Sequence, residues 1–223
     1  MSSLQFAREQ ALKPGFELEG FQISRVLGVG GFGVTYEADD VTLNRKVAIK
    51  EYFPGSLAVR AEDGKTLQPR TEEGDDYFEY GLTRFLDEAR TLAQFRHPNI
   101  VHVNRYLEAN RTAYLIMDYE EGESVEDRLQ ARGRIGLSEV DEIMVPLLRG
   151  LDAVHAQQFL HRDIKPDNIF LRADGTPILL DFGSARQALE NQRQSMTVVL
   201  TPGYAPIEQY AADDQQGPYS DLY

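Results

Sequence analysis

The sequence contains no cysteine, which rules out a disulfide framework, a thiolate metal centre and a cysteine nucleophile. Its four histidines, His97, His102, His155 and His161, lack the spacing of a zinc site, so no structural metal is expected. No apolar run approaches the length of a membrane span. The first thirty residues, MSSLQFAREQALKPGFELEGFQISRVLGVG, have neither the apolar core nor the small-residue cleavage site of a secretory signal, and a cytoplasmic location is the default expectation, without excluding a longer, membrane-tethered parent protein. Basic charge is scarce as well. With 23 Lys and Arg against 36 Asp and Glu the net charge is −13, and a nucleic-acid surface, which needs a basic stripe to displace counterions, is not expected. The acidic run Glu72, Glu73, Asp75 and Asp76 is read as a solvated loop rather than a site for basic substrates. What remains is an ordinary globular composition: 223 residues, 42% hydrophobic and 26% charged, enough for one domain or two small lobes around a core that needs no staple.

Hydrophobic spacing divides the chain into a β-rich beginning and a helical continuation, an α+β pattern. Phe21 to Val26 alternates loosely and runs into GVGGFG, after which Val34, Tyr36 and Ala38 resume period two. KVAIK makes a third strand after the turn at Asp39 and Asp40. The stretch from Glu51 to Gly81 has many Gly, Pro and acidic residues and no sustained period, so it is read as a long connection with at most short ordered pieces. A helix is predicted from about Leu82, carried by Phe85, Leu86, Ala89, Leu92 and Ala93, and ending at HPN. Strands over Ile100 to Leu107 and Ala113 to Tyr119 follow. Val140, Ile143, Met144, Leu147, Leu148, Leu151 and Val154 then mark an amphipathic helix, interrupted in pattern by Pro146. NIFL and PILL, separated by ADGT, read as a hairpin.

Four constellations carry chemistry. GVGGFG places Gly28, Gly30 and Gly33 at the spacing of a phosphate-binding loop, where backbone amides need close approach to the ligand. A dinucleotide-binding turn requires a helix immediately afterwards, whereas VTYEA reads as strand, so the loop is expected to be a flap between two strands. Lys50 ends an otherwise apolar strand and needs a partner if buried; Glu88, on the helix beside Ala89, is the acid expected to pair with it. HRDIKPDN and DFG bring two acids and an amide to either side of a hairpin, a pattern suited to a divalent cation and a transferring phosphoryl group. In that reading Asp163 accepts or orients a hydroxyl proton, Lys165 neutralises phosphate charge, and Asn168 with Asp181 supply hard oxygen ligands.

With GVGGFG, VAIK, HRDIKPDN and DFG in this order, the chain resembles the protein kinase family from Phe21 onward. The resemblance implies a two-lobed fold, an antiparallel β-rich N-lobe to about residue 119 and a mainly helical C-lobe from about residue 120, preceded by an extension over residues 1–20. It implies ATP with Mg²⁺, or Mn²⁺ in its place. The adenine is expected near Met117, Asp118 and Glu120, with Met117 guarding the back of the pocket. The phosphates are expected under Leu27, Gly28, Val29, Gly30, Gly31, Phe32, Gly33 and Val34, with Thr35, Ala48 and Lys50 completing the site. KEYFPGSLAVR and TPGYAPIEQY resemble the serine/threonine kinases of bacteria, and Lys165 and Thr201 resemble the serine/threonine class. Protein substrates are implied, as is self-association for autophosphorylation, with no nucleic-acid or membrane contact within this chain. Arg162 before Asp163 implies an activation segment whose phosphate it would bind, with Ser195 and Thr197 the favoured sites over Ser184.

Three departures stand against the family pattern. Thr35 replaces the usual adenine-packing valine and adds a hydroxyl that needs a partner. Ala205, Pro206, Ile207 and Glu208 form an A-P-E motif one residue longer than usual. The chain ends at YSDLY, where Asp221 resembles the aspartate that braces the catalytic loop; this implies a C-lobe that is C-terminally incomplete, a fragment expected to be marginal or aggregation-prone alone. Two alternative readings are a non-catalytic nucleotide-binding scaffold, opposed by intact Lys50, Asp163, Asn168 and Asp181, and a small-molecule kinase of related fold, opposed by TPGYAPIEQY.

Overall fold

The computed structural model describes residues 3–182, 203–209 and 216–223. It divides into two compact units, the first comprising Met1–Ala93 with Val103–Tyr119 and the second Gln94–His102 with Glu120–Tyr223.

The first unit is built on an antiparallel sheet of six strands in the order β1-β2-β3-β4-β8-β7. These are β1 (Glu17–Leu18), β2 (Phe21–Val29), β3 (Gly33–Asp40), β4 (Arg45–Tyr52), β7 (Val103–Ala109) and β8 (Thr112–Asp118). Cross-strand partners in an antiparallel sheet share a face. Tyr36 opposite Ile49 and Ala38 opposite Val47 therefore put one apolar face inward, and all four are fully buried. Against the sheet lies α2 (Glu72–Leu92), which buries Phe78, Phe85, Ala89 and Leu92; Tyr52 meets the rings of Phe78 and Phe85 at 5.3 and 5.6 Å between centroids.

The stretch expected to be a long connection is more ordered than its pattern suggests. Ala58–Arg60 (β5) and Leu67–Pro69 (β6) pair as a hairpin, and α2 begins ten residues before the predicted start. Thr71 caps it, accepting from the Gly74 amide at 3.1 Å. Gly74 and Gly81 weaken the local helix signal, and it is the burial of Phe78 that selects the helical state. The acidic run accordingly lies at the start of α2 instead of in a loop. Between β5 and β6, the Thr66 hydroxyl and the amides of Lys65 and Thr66 all donate to Asp63, which holds that carboxyl down at about 2.

The N-terminal residues belong to this unit. α1 (Ser3–Glu9) and the turn after it bury Ala7, Ala11 and Leu12, and Arg70 stacks over the Phe6 ring at 4.3 Å.

In the second unit, β9 (Gly122–Ser124), β10 (Ile169–Arg172) and β11 (Pro177–Leu179) form a sheet in the order β11-β10-β9. The hairpin predicted from NIFL and PILL is β10 and β11, with Ile169 opposite Leu179. Ser124 and Asp127 form a capping box that opens α3 (Val125–Arg132), an element the sequence reading did not assign. α4 (Leu137–His155) buries Ile143, Leu147, Leu151 and Val154 and runs through Pro146 without a break. Pro146 is only half-buried and Glu142, four residues earlier, is exposed, so water can reach the carbonyl that loses its donor. Gly150 lets the helix approach Ile100 closely: a Cβ there would lie 3.0 Å from Ile100 Cδ1. The strand expected to start at Ile100 starts at Val103, because Ile100 and Val101 instead run beside β11, with Val101 N–H donating to the Leu179 carbonyl at 3.0 Å.

Candidate active site

The first unit presents a face suited to a nucleotide. Thr35 stands opposite Lys50 and Lys50 opposite Leu115; Glu37 stands opposite Ala48 and Ala48 opposite Met117. These six side chains therefore share the sheet face away from Tyr36, Ile49 and Ile116. β2 and β3 meet at the glycine turn, closed by Gly30 N–H donating to the Gly33 carbonyl at 2.8 Å, so the turn is a flap between strands as expected. Two kinds of glycine occur in it. A Cβ on Gly33 would lie 2.6 Å from the Glu51 carbonyl oxygen, so the protein itself demands glycine there. Beside Gly28 and Gly31 no atom lies within 4 Å of the Cβ position. That open cradle is what a polyphosphate requires if backbone amides are to approach it. Leu27 is exposed at the turn's shoulder, while Val34 points to the core face and is fully buried, contributing its backbone alone to this surface.

At the end of β8, Met117 is buried. Asp118 accepts from Asn104 Nδ2 at 2.8 Å, and Glu120, which belongs to the second unit, is clamped by Arg172 through bonds of 2.6 and 2.7 Å. Glu88 lies buried on α2. Glu37 is held below the usual carboxylate range by its bond to Lys46 at 2.6 Å, with Arg25 at 2.7 Å adding to the effect against the cost of burial.

The second unit carries the acids. After Lys165 the chain makes a single 3₁₀ turn over Pro166–Asn168, which swings Asn168 back toward Asp163. Asn168 Nδ2 donates to the Asp163 backbone carbonyl at 2.7 Å and to its Oδ2 at 2.9 Å, and Lys165 Nζ lies 3.2 Å from the same oxygen. Leu180 N–H donates to the Asn168 carbonyl at 2.8 Å, tying this turn to the residue before Asp181. With its amide nitrogen committed, Asn168 retains Oδ1 as an acceptor, and Asp181 adds a carboxylate one residue beyond that tie. One amide oxygen and one carboxylate fall short of a full cage but fit a cation completed by phosphate oxygens and water.

Backbone geometry here is unusual and is held from afar. Arg162 has φ +68° and Asp181 φ +49°, both in the left-handed region that disfavours side chains. The buried Asp221 carboxylate accepts from the amides of His161 at 2.8 Å and Arg162 at 2.7 Å, and from His155 Nε2 at 2.8 Å. Phe182 stacks on the His161 ring at 4.3 Å and on Phe159 at 5.8 Å. Glu208 of the lengthened A-P-E motif is met by Ser220, whose Oγ donates to it at 2.6 Å.

His161 is fully buried and neutral. Its Nε2–H donates to the Leu180 carbonyl at 2.8 Å, and its Nδ1 accepts from the Asp163 amide at 3.3 Å, so a second ring proton would face a donor. Burial accordingly holds the imidazole below its ordinary range. As pH falls below about 6.5 the unfolded chain takes up a proton that the native site refuses, and native stability is lost down to the lowered value. The thermal midpoint of the wild type is expected to fall more steeply between pH 7.5 and 5.5 than that of His161→Gln. Parallel curves from differential scanning calorimetry would refute this assignment.

Ser184, Ser195, Thr197 and Thr201 lie outside the described residues. Sequence reasoning missed one buried polar cluster in the first unit, formed by Glu51, Arg60, Tyr36 and Tyr114, although Glu51 falls at the period-two position inward of Val47 and Ile49, where an acid signals a buried partner.

Known proteins match this arrangement over most of its length. The sequence profile of the protein kinase domain fits residues 21–223. Serine/threonine-protein kinase PknA of Nostoc sp. is 31% identical over 214 residues, covering 91% of this chain and 35% of that protein. PknA of Mycobacterium tuberculosis is 32% identical over 216 residues, covering 94% and 46%. The chain thus spans less than half the length of these relatives. Among solved structures, the apo form of PpkA-294 superposes with a TM-score of 0.87 at 41% identity, covering 96% of this chain and 75% of that one. The PknI kinase domain of M. tuberculosis shares the fold, with a TM-score of 0.69 at 24% identity.

Proposed function

The chain belongs to the protein kinase family, and on that footing we propose that it transfers the γ-phosphoryl group of ATP to serine or threonine hydroxyls of protein substrates. The observation that carries this reading is the convergence of Asn168 and Lys165 on one oxygen of Asp163. The Asp163 carboxylate is met by a cation and an amide whose remaining atoms are suited to phosphate and metal. Bound Mg-ATP, with Mn²⁺ as substitute, supplies the phosphoryl group and shields the charge that develops on it.

The chain's own residues then divide the work. Asp163 orients the attacking hydroxyl and accepts its proton as the new bond forms. Lys165 stays beside that oxygen and offsets negative charge in the transition state. Asn168 Oδ1 and Asp181 would hold the cation. In the first unit, Lys50 would engage the phosphates with Glu88 as its partner, Met117, Asp118, Ala48 and Thr35 would line the adenine, and the turn from Gly28 to Gly33 would cover the phosphates. Lys165 and Thr201 support the serine/threonine class. Phosphorylation of Ser195 or Thr197, by self-association between copies, would give Arg162 its anion.

Incubation of the chain with γ-labelled ATP, Mg²⁺ and a generic protein substrate is expected to label serine and threonine, and Lys50→Met should abolish the signal. Label retained in that variant, or found on small-molecule acceptors alone, overturns the reading. Mass spectrometry of the reacted wild type should locate phosphate at Ser195 or Thr197.

A further inference from the structure

The buried cluster in the first unit has no part in the chemistry just described, yet it touches the strand that carries Lys50. Glu51 on β4 and Arg60 on β5 form an ion pair of 2.7 Å with side-chain exposures of 0% and 4%. Tyr36 donates to Glu51 at 2.6 Å and Tyr114 donates to it at 3.1 Å. The third partner of this cluster is the N-terminal segment. Leu12 N–H donates to the Tyr36 hydroxyl at 3.1 Å, Gln10 Oε1 accepts from the Arg60 amide at 3.1 Å, and the Gln10 carbonyl accepts from Arg60 Nε. Arg60 Nη1 is spent on the Lys65 carbonyl at 2.7 Å. One guanidinium thus ties together a strand, a hairpin and a segment preceding the domain by sequence.

The same residues reach the glycine turn. The Glu51 carbonyl abuts Gly33, and Phe53, which lies under the Arg60 guanidinium at 5.2 Å, donates its amide to the Phe32 carbonyl at 2.9 Å. The turn is therefore anchored through Glu51 and Phe53, whose side chains meet Arg60 and, through it, Gln10, while Leu12 reaches Glu51 through the Tyr36 hydroxyl. A buried, fully paired charge network of this kind resists displacement because every partial rearrangement leaves a buried charge or amide unmet.

We propose that Gln10, Leu12 and Arg60 are positioning residues for the nucleotide: the N-terminal segment sets the glycine turn and Lys50 by bracing Glu51 and Phe53. The proposal rests on the kinase reading of the site. It distinguishes this segment from a tail, since displacing it would weaken ATP binding without touching the groups that meet protein substrate. A ligand or neighbouring domain that competes for residues 10–12 would act as an inhibitor competitive in effect with ATP.

The test uses the full chain and compares wild type with Tyr36→Phe, Arg60→Lys and Arg60→Met. Tyr36→Phe deletes the hydroxyl that links Leu12 to Glu51 while keeping the buried ring. Arg60→Lys keeps a charge for Glu51 but forfeits the bonds to Gln10 and Lys65. The KM for ATP is expected to rise roughly 5–10-fold in Tyr36→Phe and in Arg60→Lys, and further in Arg60→Met, with the KM for protein substrate unchanged. Hydrogen exchange at the Phe53 amide is expected to quicken in the same order. Unchanged ATP KM in folded Tyr36→Phe, or equal changes in both KM values, overturns the proposal. Quickened Phe53 exchange in the variants, together with a wild type that transfers no phosphate, upholds the brace and sinks the kinase reading instead.

Discussion

Asp163→Asn is expected to lower kcat for phosphoryl transfer by roughly 10²–10⁴-fold, the range over which a positioned acid or base contributes to a rate. The substitution preserves shape. Asn168 Nδ2 can still donate to the Asp163 backbone carbonyl at 2.7 Å, and that bond sets the turn. What is lost is the charge that Lys165 lies beside at 3.2 Å and the capacity to take a proton from a hydroxyl. The KM for ATP should move little, because the residues assigned to the nucleotide are elsewhere. Steady-state kinetics with label transfer as readout distinguishes this pattern from misfolding, which would scale all rates with the folded fraction. A variant retaining half the wild-type kcat would remove Asp163 from the role of base.

Asp221→Ala carries the largest expected cost to stability. Its carboxylate is the common acceptor for two backbone amides and His155, and its side chain has no exposure. Removing it strands the His161 and Arg162 amides in a buried setting, at about 1–3 kcal/mol for each unmet group. The lost Arg162 bond is also the one that holds its backbone at φ +68°, so the turn is released from that strained conformation. The two unmet amides together cost about 2–6 kcal/mol, at the upper end comparable to the whole stability of many domains. Chemical denaturation should show the midpoint collapsing, and label transfer should vanish with it. A folded, active Asp221→Ala would show that the loop geometry is maintained by other contacts.

Much of this site was legible because its chemistry is local in sequence. GVGGFG and HRDIKPDN each confine their candidate groups to a few residues, so spacing alone brings Gly30 to Gly33 and both Lys165 and Asn168 to Asp163. The strands were readable for the same reason: period two in Val34, Tyr36 and Ala38 is a local signal that burial then confirms. Three things were not legible. The start of α2 was obscured by Gly74 and Gly81, because its stability comes from Phe78 packing under Tyr52, a partner 26 residues away. The fate of Ile100 and Val101 was missed because apolar residues do not announce which sheet they join. The Glu51 cluster was missed because its members span positions 10 to 114, and no window of pattern contains them.

The Asp221 brace joins positions 60 residues apart. A ribosome adds roughly 5–20 residues per second, so about 3–12 s pass between synthesis of His161 and of the aspartate that shapes its loop. During that interval the nascent chain already contains Lys50, Asp163 and Asn168, but the left-handed turn at Arg162 lacks its acceptor. Until Asp221 has been made, the loop that carries Asp163 lacks the acceptor for its His161 and Arg162 amides, a delay written into the distance between two residues.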